Sequence, residues 1–147
     1  MSMGARLWKR GGGVLFTALV SVLASGCGDS KAAVYPVSGQ VLVKGRPAEG
    51  AYVVFHPKDG GDDKTPRPYA TTDSEGNFKL TTYESEDGAP AGSYKVTIVW
   101  RPLPTSQLEA EGTDRIHGKY GNAATSGLVA EVLKEPSNIV KPFQLSQ

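Results

Sequence analysis

The chain has 147 residues, 39% of them hydrophobic and 21% charged, with a formal net charge of +1. That is one domain's worth of sequence with enough apolar residues for a packed core, which argues against wholesale disorder. Without residues 1–26 it keeps 13 basic and 15 acidic residues, a net charge of −2, which argues against nucleic acid as a partner.

Arg6, Lys9 and Arg10 precede an uncharged run from Val14 to Ala24, and no acid occurs before residue 27. A helix over that run is roughly 17 Å long, well short of the ~30 Å hydrocarbon core. It therefore reads as the apolar region of a secretory signal rather than as a membrane span or a buried helix. Ala24, Ser25 and Gly26 then lead into Cys27, the single cysteine of the chain. This stretch resembles the lipobox of bacterial lipoproteins, although Ala24 stands where Leu is more usual and Leu23 sits one place earlier. The resemblance implies a signal peptide over 1–26, with Cys27 acylated as the new N-terminus and 27–33 as a polar tether. A domain over 34–147 would follow. Such an anchor carries at least two acyl chains, enough for stable attachment at ~0.8 kcal/mol per buried methylene. It also accounts for an unpaired cysteine in an exported protein. No histidine neighbours Cys27, so metal or catalytic roles are disfavoured.

Eighteen glycines and ten prolines fall between short apolar runs, which suggests turn-rich β structure. "VYPVSGQVLVKG" places β-branched residues at period two and breaks at Lys44-Gly45. "AYVVFHP" sets Ala51, Val53 and Phe55 on one face and Tyr52, Val54 and His56 on the other. Both faces are largely apolar, as in a central strand. "TTDSEGNFKL" reads as a hairpin with a type I turn over Asp73–Gly76, Gly76 left-handed, and Phe78 and Leu80 inward. "GSYKVTIVW" alternates, predicting Tyr94, Val96, Ile98 and Trp100 in the core.

Residues 101–122 show no alternation, and Pro102 and Pro104 resist ladder pairing. A short helix over "TSQLEAEG" is one option, with Ser106 as cap and Glu109 at the box position. Two further strands follow: "GLVAEVL" with Leu128, Ala130 and Val132 inward, and "NIVKPFQL" with Phe143 and Leu145 inward. About seven strands and no long amphipathic helix predict an all-β, two-sheet sandwich.

Val37, Gly39, Val41, Gly45-Arg46-Pro47, Gly50-Ala51, Val53 and Phe55 resemble the opening of carboxypeptidase regulatory-like domains. Thr72, Asp73, Gly76, Phe78 and Leu80, then Gly92, Tyr94, Val96 and Ile98, resemble the next two stretches of that pattern. "KYGNAATSGLVAEV" is similar to the ending of small lipoproteins of planctomycete-type bacteria. Spanning about residues 34–146, the resemblance implies a prealbumin-like (transthyretin-like) sandwich with structural, adhesive or binding roles. It implies no reaction and supplies no catalytic residues.

Enzymatic readings fare poorly. A transthyretin-like hydrolase of the hydroxyisourate type needs paired histidines and a Tyr-Arg-Gly-Ser ending. This chain ends "PFQLSQ" and holds only His56 and His117, which as a zinc pair lack a neighbouring ligand. Asp59, Asp62 and Asp63, and likewise Asp73, Glu75 and Asn77, offer oxygens but not the spacing of a Ca²⁺ loop, so solvated loop and turn are the better readings. Glu84, Glu86 and Asp87 read as ordinary loop acidity rather than a glycosidase pair. No cofactor is implied.

The expectation is an extracytoplasmic, lipid-anchored, non-enzymatic module with the membrane as partner through Cys27 and an unknown envelope protein or glycan as a second partner. Contacts are expected from the loops 57–68, 84–91 and 101–122, and from Tyr52, Tyr69, Tyr83 and Tyr120. The alternatives are an envelope scaffold without a small ligand, a carbohydrate-binding module, and a degenerate hydrolase. Which bacterial membrane bears the anchor is left open.

Overall fold

The computed structural model describes residues 31–62, 64–101 and 112–147. The expected signal peptide, Cys27, Asp63 and the expected helix over 105–112 (save Gly112) lie outside them. The described residues form no helix and eleven short strands: β1 Val34–Tyr35, β2 Val37–Val43, β3 Arg46–Pro47, β4 Tyr52–Pro57, β5 Tyr69–Thr71, β6 Asn77–Lys79, β7 Ala89–Pro90, β8 Gly92–Val99, β9 Leu128–Val132, β10 Asn138–Ile139 and β11 Phe143–Leu145. The fold is all-β.

One sheet is organised around β2. On one side β10 and β11 run parallel to it, opposite Val37–Ser38 and Val41–Val43; on the other, β6 and β3 run antiparallel. The other main sheet has the order β5-β4-β8-β9, antiparallel throughout. β1 and β7 form a separate two-stranded ribbon. The strand count exceeds the expected seven because β1 and β7 form an added ribbon, the two-residue β3 pairs with β2, and the last expected strand is divided. The single strand expected over 138–145 splits into β10 and β11 around Pro142, which has no N–H to give a ladder.

Alternation dictates which side chains meet between the sheets. Val37, Val41 and Val43 of β2, Phe78 of β6, and Phe143 and Leu145 of β11 are buried against Val53 and Phe55 of β4, Tyr94, Val96 and Ile98 of β8, and Val132 of β9. Phe55 meets Phe78 of the opposite sheet edge-on at 6.4 Å between centroids and Tyr94 at 5.5 Å, while Phe78 stacks on Phe143 at 6.2 Å. β4 is central, as its two-sided apolar pattern predicts. Trp100, expected in the core, is only half-buried. It lies past the end of β8, where its Nε1 donates to the Glu49 carbonyl at 2.7 Å and Arg115 sits 5.0 Å over its ring.

The Asp73–Gly76 turn forms as read: Gly76 has φ +74, its N–H donates to Asp73 O, and Asp73 Oδ1 accepts from the N–H groups of Glu75 and Asn77. The strands it joins do not make a simple hairpin. β5 pairs with β4 and β6 with β2, so apart from a bridge at Tyr69↔Thr81 the chain crosses between sheets here. The stretch 112–122 is likewise no featureless loop. Asp114 gathers the N–H groups of Trp100, Ile116 and Gly118, and successive turns drive Ile116 and Tyr120 into the core.

Tyr94 gives a pH test of this packing. Its hydroxyl donates to Pro90 O at 2.6 Å, and burial, helped by the Tyr83 phenol nearby, pushes its pKa up to about 12. An unfolded tyrosine titrates near 10. The raised value therefore adds stability that is whole below pH 10 and is lost as pH climbs toward 12, on the order of 1–2 kcal/mol after allowance for solvent screening. Urea titrations at pH 9 and pH 11.5 should show this loss in the native chain and a clearly smaller one in Tyr94→Phe.

Candidate functional site

The outward positions of the β5-β4-β8-β9 sheet carry the best candidate surface. Because inward residues of β4 and β8 serve the core, the register sets Tyr52 opposite Val99, Val54 opposite Thr97 and His56 opposite Lys95 on the outer face. On the β5 side Thr71 faces Tyr52 and Tyr69 faces Val54; on the β9 side Val129 faces Lys95. Tyr52 and Tyr69 are thus diagonal cross-strand neighbours, 45% and 43% exposed, with ring centroids 6.0 Å apart and planes tilted by 38°.

Beyond the aromatic pair the face becomes cationic. His56 Nε2 shares a hydrogen bond with Thr97 Oγ1 at 2.9 Å. Burial of the ring, and then the charge of Arg67, lower its pKa, which keeps it neutral at pH 7. Exposed Arg67 and Lys95 complete this end. Two aromatic faces, hydroxyls and cations on one sheet face suit stacking and hydrogen bonding to an exposed ligand. The charged groups nearest the His56 ring are the cations Arg67 and Lys95.

The four tyrosines expected to contact partners separate. Tyr52 and Tyr69 come together, on strands rather than loops. Tyr83 is half-buried in the loop after β6, its hydroxyl accepting from Ala32 N at 3.1 Å. Tyr120 is a correction. It is 9% exposed, and its hydroxyl meets Ser146 Oγ at 3.3 Å and accepts from Ser146 N at 3.1 Å. The Ser146 hydroxyl and N–H lower the Tyr120 pKa. Tyr120 belongs to the core cluster and offers little surface to a partner.

The acidic stretches are largely occupied by their own backbone. Asp62 Oδ1 accepts from Lys64 N and Thr65 Oγ1. Burial works against the Asp87 carboxylate, yet the N–H groups of Thr82, Glu84 and Tyr83 outweigh it and its pKa is lowered. Glu86 pairs with Lys79 at 2.9 Å. His117 sits in the loop beyond β8, near Trp100, whereas His56 lies toward the start of β8, so the two histidines do not converge. Among the described residues no three His, Cys, Asp or Glu side chains are grouped to hold a metal ion.

A second feature escaped the sequence reading. The open sides of β9 and of β10–β11 flank a groove of about 450 Å³ lined by Leu128, Val129, Ile139, Val140 and Phe143 among others. Val129 and Ile139 are 64% and 83% exposed. Val129 was legible as the outward member of "GLVAEVL"; its proximity to Ile139 needs the fold.

Comparison with known proteins adds little to this surface. The chain matches no protein-family model and no curated protein. Among solved structures it is similar to a 9R-lipoxygenase from Cyanothece PCC8801, at 12% identity and a TM-score of 0.39, over 77% of this chain and 16% of that one. The chain thus spans about a sixth of the lipoxygenase, and a likeness this slight carries no functional argument.

Proposed function

We propose that this chain is an extracytoplasmic, lipid-anchored β-sandwich of the carboxypeptidase regulatory-like kind, a non-enzymatic module that recognises an envelope protein or glycan. Acylated Cys27 would hold it to a bacterial membrane, and the outer face of the β5-β4-β8-β9 sheet would meet the partner. The observation that carries the recognition half is the exposed Tyr52–Tyr69 pair beside His56, Arg67 and Lys95 on a rigid sheet. The sequence before Gly28 supports the anchor half. An envelope scaffold is the second reading, favoured by the exposed Val129 and Ile139 along the groove.

Mass spectrometry of the native N-terminus should find acyl chains on Cys27 and no residue before it; a bare thiol or an upstream start removes the anchor. A glycan array and an envelope pull-down with residues 28–147 test recognition. A specific ligand should bind at least about tenfold more weakly to Tyr52→Ala and Tyr69→Ala, the equivalent of ~1.4 kcal/mol per aromatic contact. No ligand, together with self-assembly broken by Val129→Asp or Ile139→Asp, would favour the scaffold.

A further inference from the structure

We propose that the outer face of the β5-β4-β8-β9 sheet takes an acidic polysaccharide, whose sugar rings lie on Tyr52 and Tyr69 while its carboxylates meet Arg67 and Lys95. This deepens the recognition reading above and rests on it. The two tyrosine rings are 6.0 Å apart between centroids, and both are nearly half exposed. Arg67 follows two residues before Tyr69, a step of about 7 Å along an extended chain. The register sets Tyr69 opposite Val54, and Phe55 N donates to Pro68 O at 2.8 Å just beyond, so Arg67 comes alongside His56. Lys95 stands opposite His56 on the other side. From Tyr52 to the His56–Lys95 row is four residues, roughly 13 Å of strand. That length holds a short run of sugar units.

Neither cation is spent on the protein itself. Both are exposed, and among the described residues neither forms an ion pair; the pair that does form, Lys79–Glu86, involves β6 of the other sheet. Arg67 also comes from a stiff piece of chain. It lies between Pro66 and Pro68, whose rings fix φ on either side, and Pro68 is fully buried. A guanidinium presented this way can hold a carboxylate through two N–H groups with little backbone left to order. Glu131 of β9, opposite Ser93 and therefore diagonal to Lys95, places one carboxylate at the rim of the same face.

An acidic peptide fits this face less well. β4 is hydrogen-bonded on both sides, to β5 and to β8, so the face has no free main-chain groups to align a second extended backbone. A saccharide needs none. Its C–H faces stack on aromatic rings, and its hydroxyls and carboxylates reach side chains.

The test titrates the full chain in detergent micelles with oligomers of galacturonate, glucuronate and mannuronate. Each is set beside its methyl ester, which has the same rings without the charge, and poly-L-glutamate serves as the peptide probe. At least one acid should bind, and its ester should bind at least about tenfold more weakly. Raising the salt from about 0.05 M to about 0.5 M should weaken the acid and spare the ester. Arg67→Gln and Lys95→Gln should each weaken the acid at least about threefold with the ester unchanged. Glu131→Gln, which removes a like charge, should tighten the acid about twofold. Esters that bind as well as their acids overturn the charge assignment, while the recognition reading still stands or falls on Tyr52→Ala and Tyr69→Ala. Polyglutamate binding more tightly than every uronate overturns the polysaccharide and makes the occupant a peptide. No binding by any uronate overturns the proposal outright, and the envelope pull-down then decides the recognition reading by itself.

Discussion

Phe55→Ala is expected to remove about 3–5 kcal/mol of folding stability. Phe55 is fully buried on β4, and its ring bridges the two sheets, reaching Phe78 across the core at 6.4 Å and Tyr94 on its own sheet at 5.5 Å. Truncation deletes the transfer free energy of the ring and leaves a void that a sandwich held by hydrogen-bonded strands can only partly close. The loss should appear as a lower urea midpoint at unchanged slope, and as a thermal midpoint lower by at least ~10 °C. Phe55→Leu, which keeps most of the volume, should cost about 1–2 kcal/mol. A loss for Phe55→Ala no larger than for Phe55→Leu would mean that the sheets do not close on this ring.

The sequence groups Phe55 with Ala51 and Val53 on one face of β4 without saying which of its two apolar faces is buried. On β8 period two separates a buried face from an open one, and Tyr94, Val96 and Ile98 are buried as read; on β4 the buried face is that of Val53 and Phe55. Phe143 and Leu145 are buried as read too, and legibility fails instead where strands pair with partners distant in the chain. Strands β10 and β11 pair with β2 about a hundred residues away, and no local pattern announces a parallel partner. Ile116 and Tyr120 are carried inward by turns rather than alternation, so a loop reading missed them and left Tyr120 on the surface. The candidate site divides in the same way. Tyr52 is visibly outward on its own strand, but its neighbour Tyr69 emerges only once the register sets Val54 beside it. The Asp73–Gly76 turn was legible because its hydrogen bonds are local. That it carries the chain from one sheet to the other depends on what lies on either side.

The crossing between sheets has its own fastening, and Thr72→Val is expected to cost about 2–4 kcal/mol by undoing it. Thr72 follows β5, just before the chain passes to β6 in the opposite sheet. Residues 48–51 make the reverse passage, from β3 to β4. Thr72 Oγ1 accepts from Ala51 N at 2.8 Å and donates to the Ala48 carbonyl. Its backbone adds Thr72 N to Ala51 O and Gly50 N to Thr72 O, both at 3.0 Å. One hydroxyl therefore ties the two passages together where Ala48 and Ala51 are fully buried. Valine fills nearly the same volume, so no cavity confuses the outcome. It leaves a donor and an acceptor without partners in a dry site, and each such loss costs about 1–3 kcal/mol. Thr72→Ser keeps the hydroxyl and loses one methyl, about 1 kcal/mol. Denaturant titration should therefore rank the native chain above Thr72→Ser and Thr72→Ser above Thr72→Val. If valine proves equal to serine or better, the hydroxyl is not what joins the crossings, and packing alone holds the sheets in register.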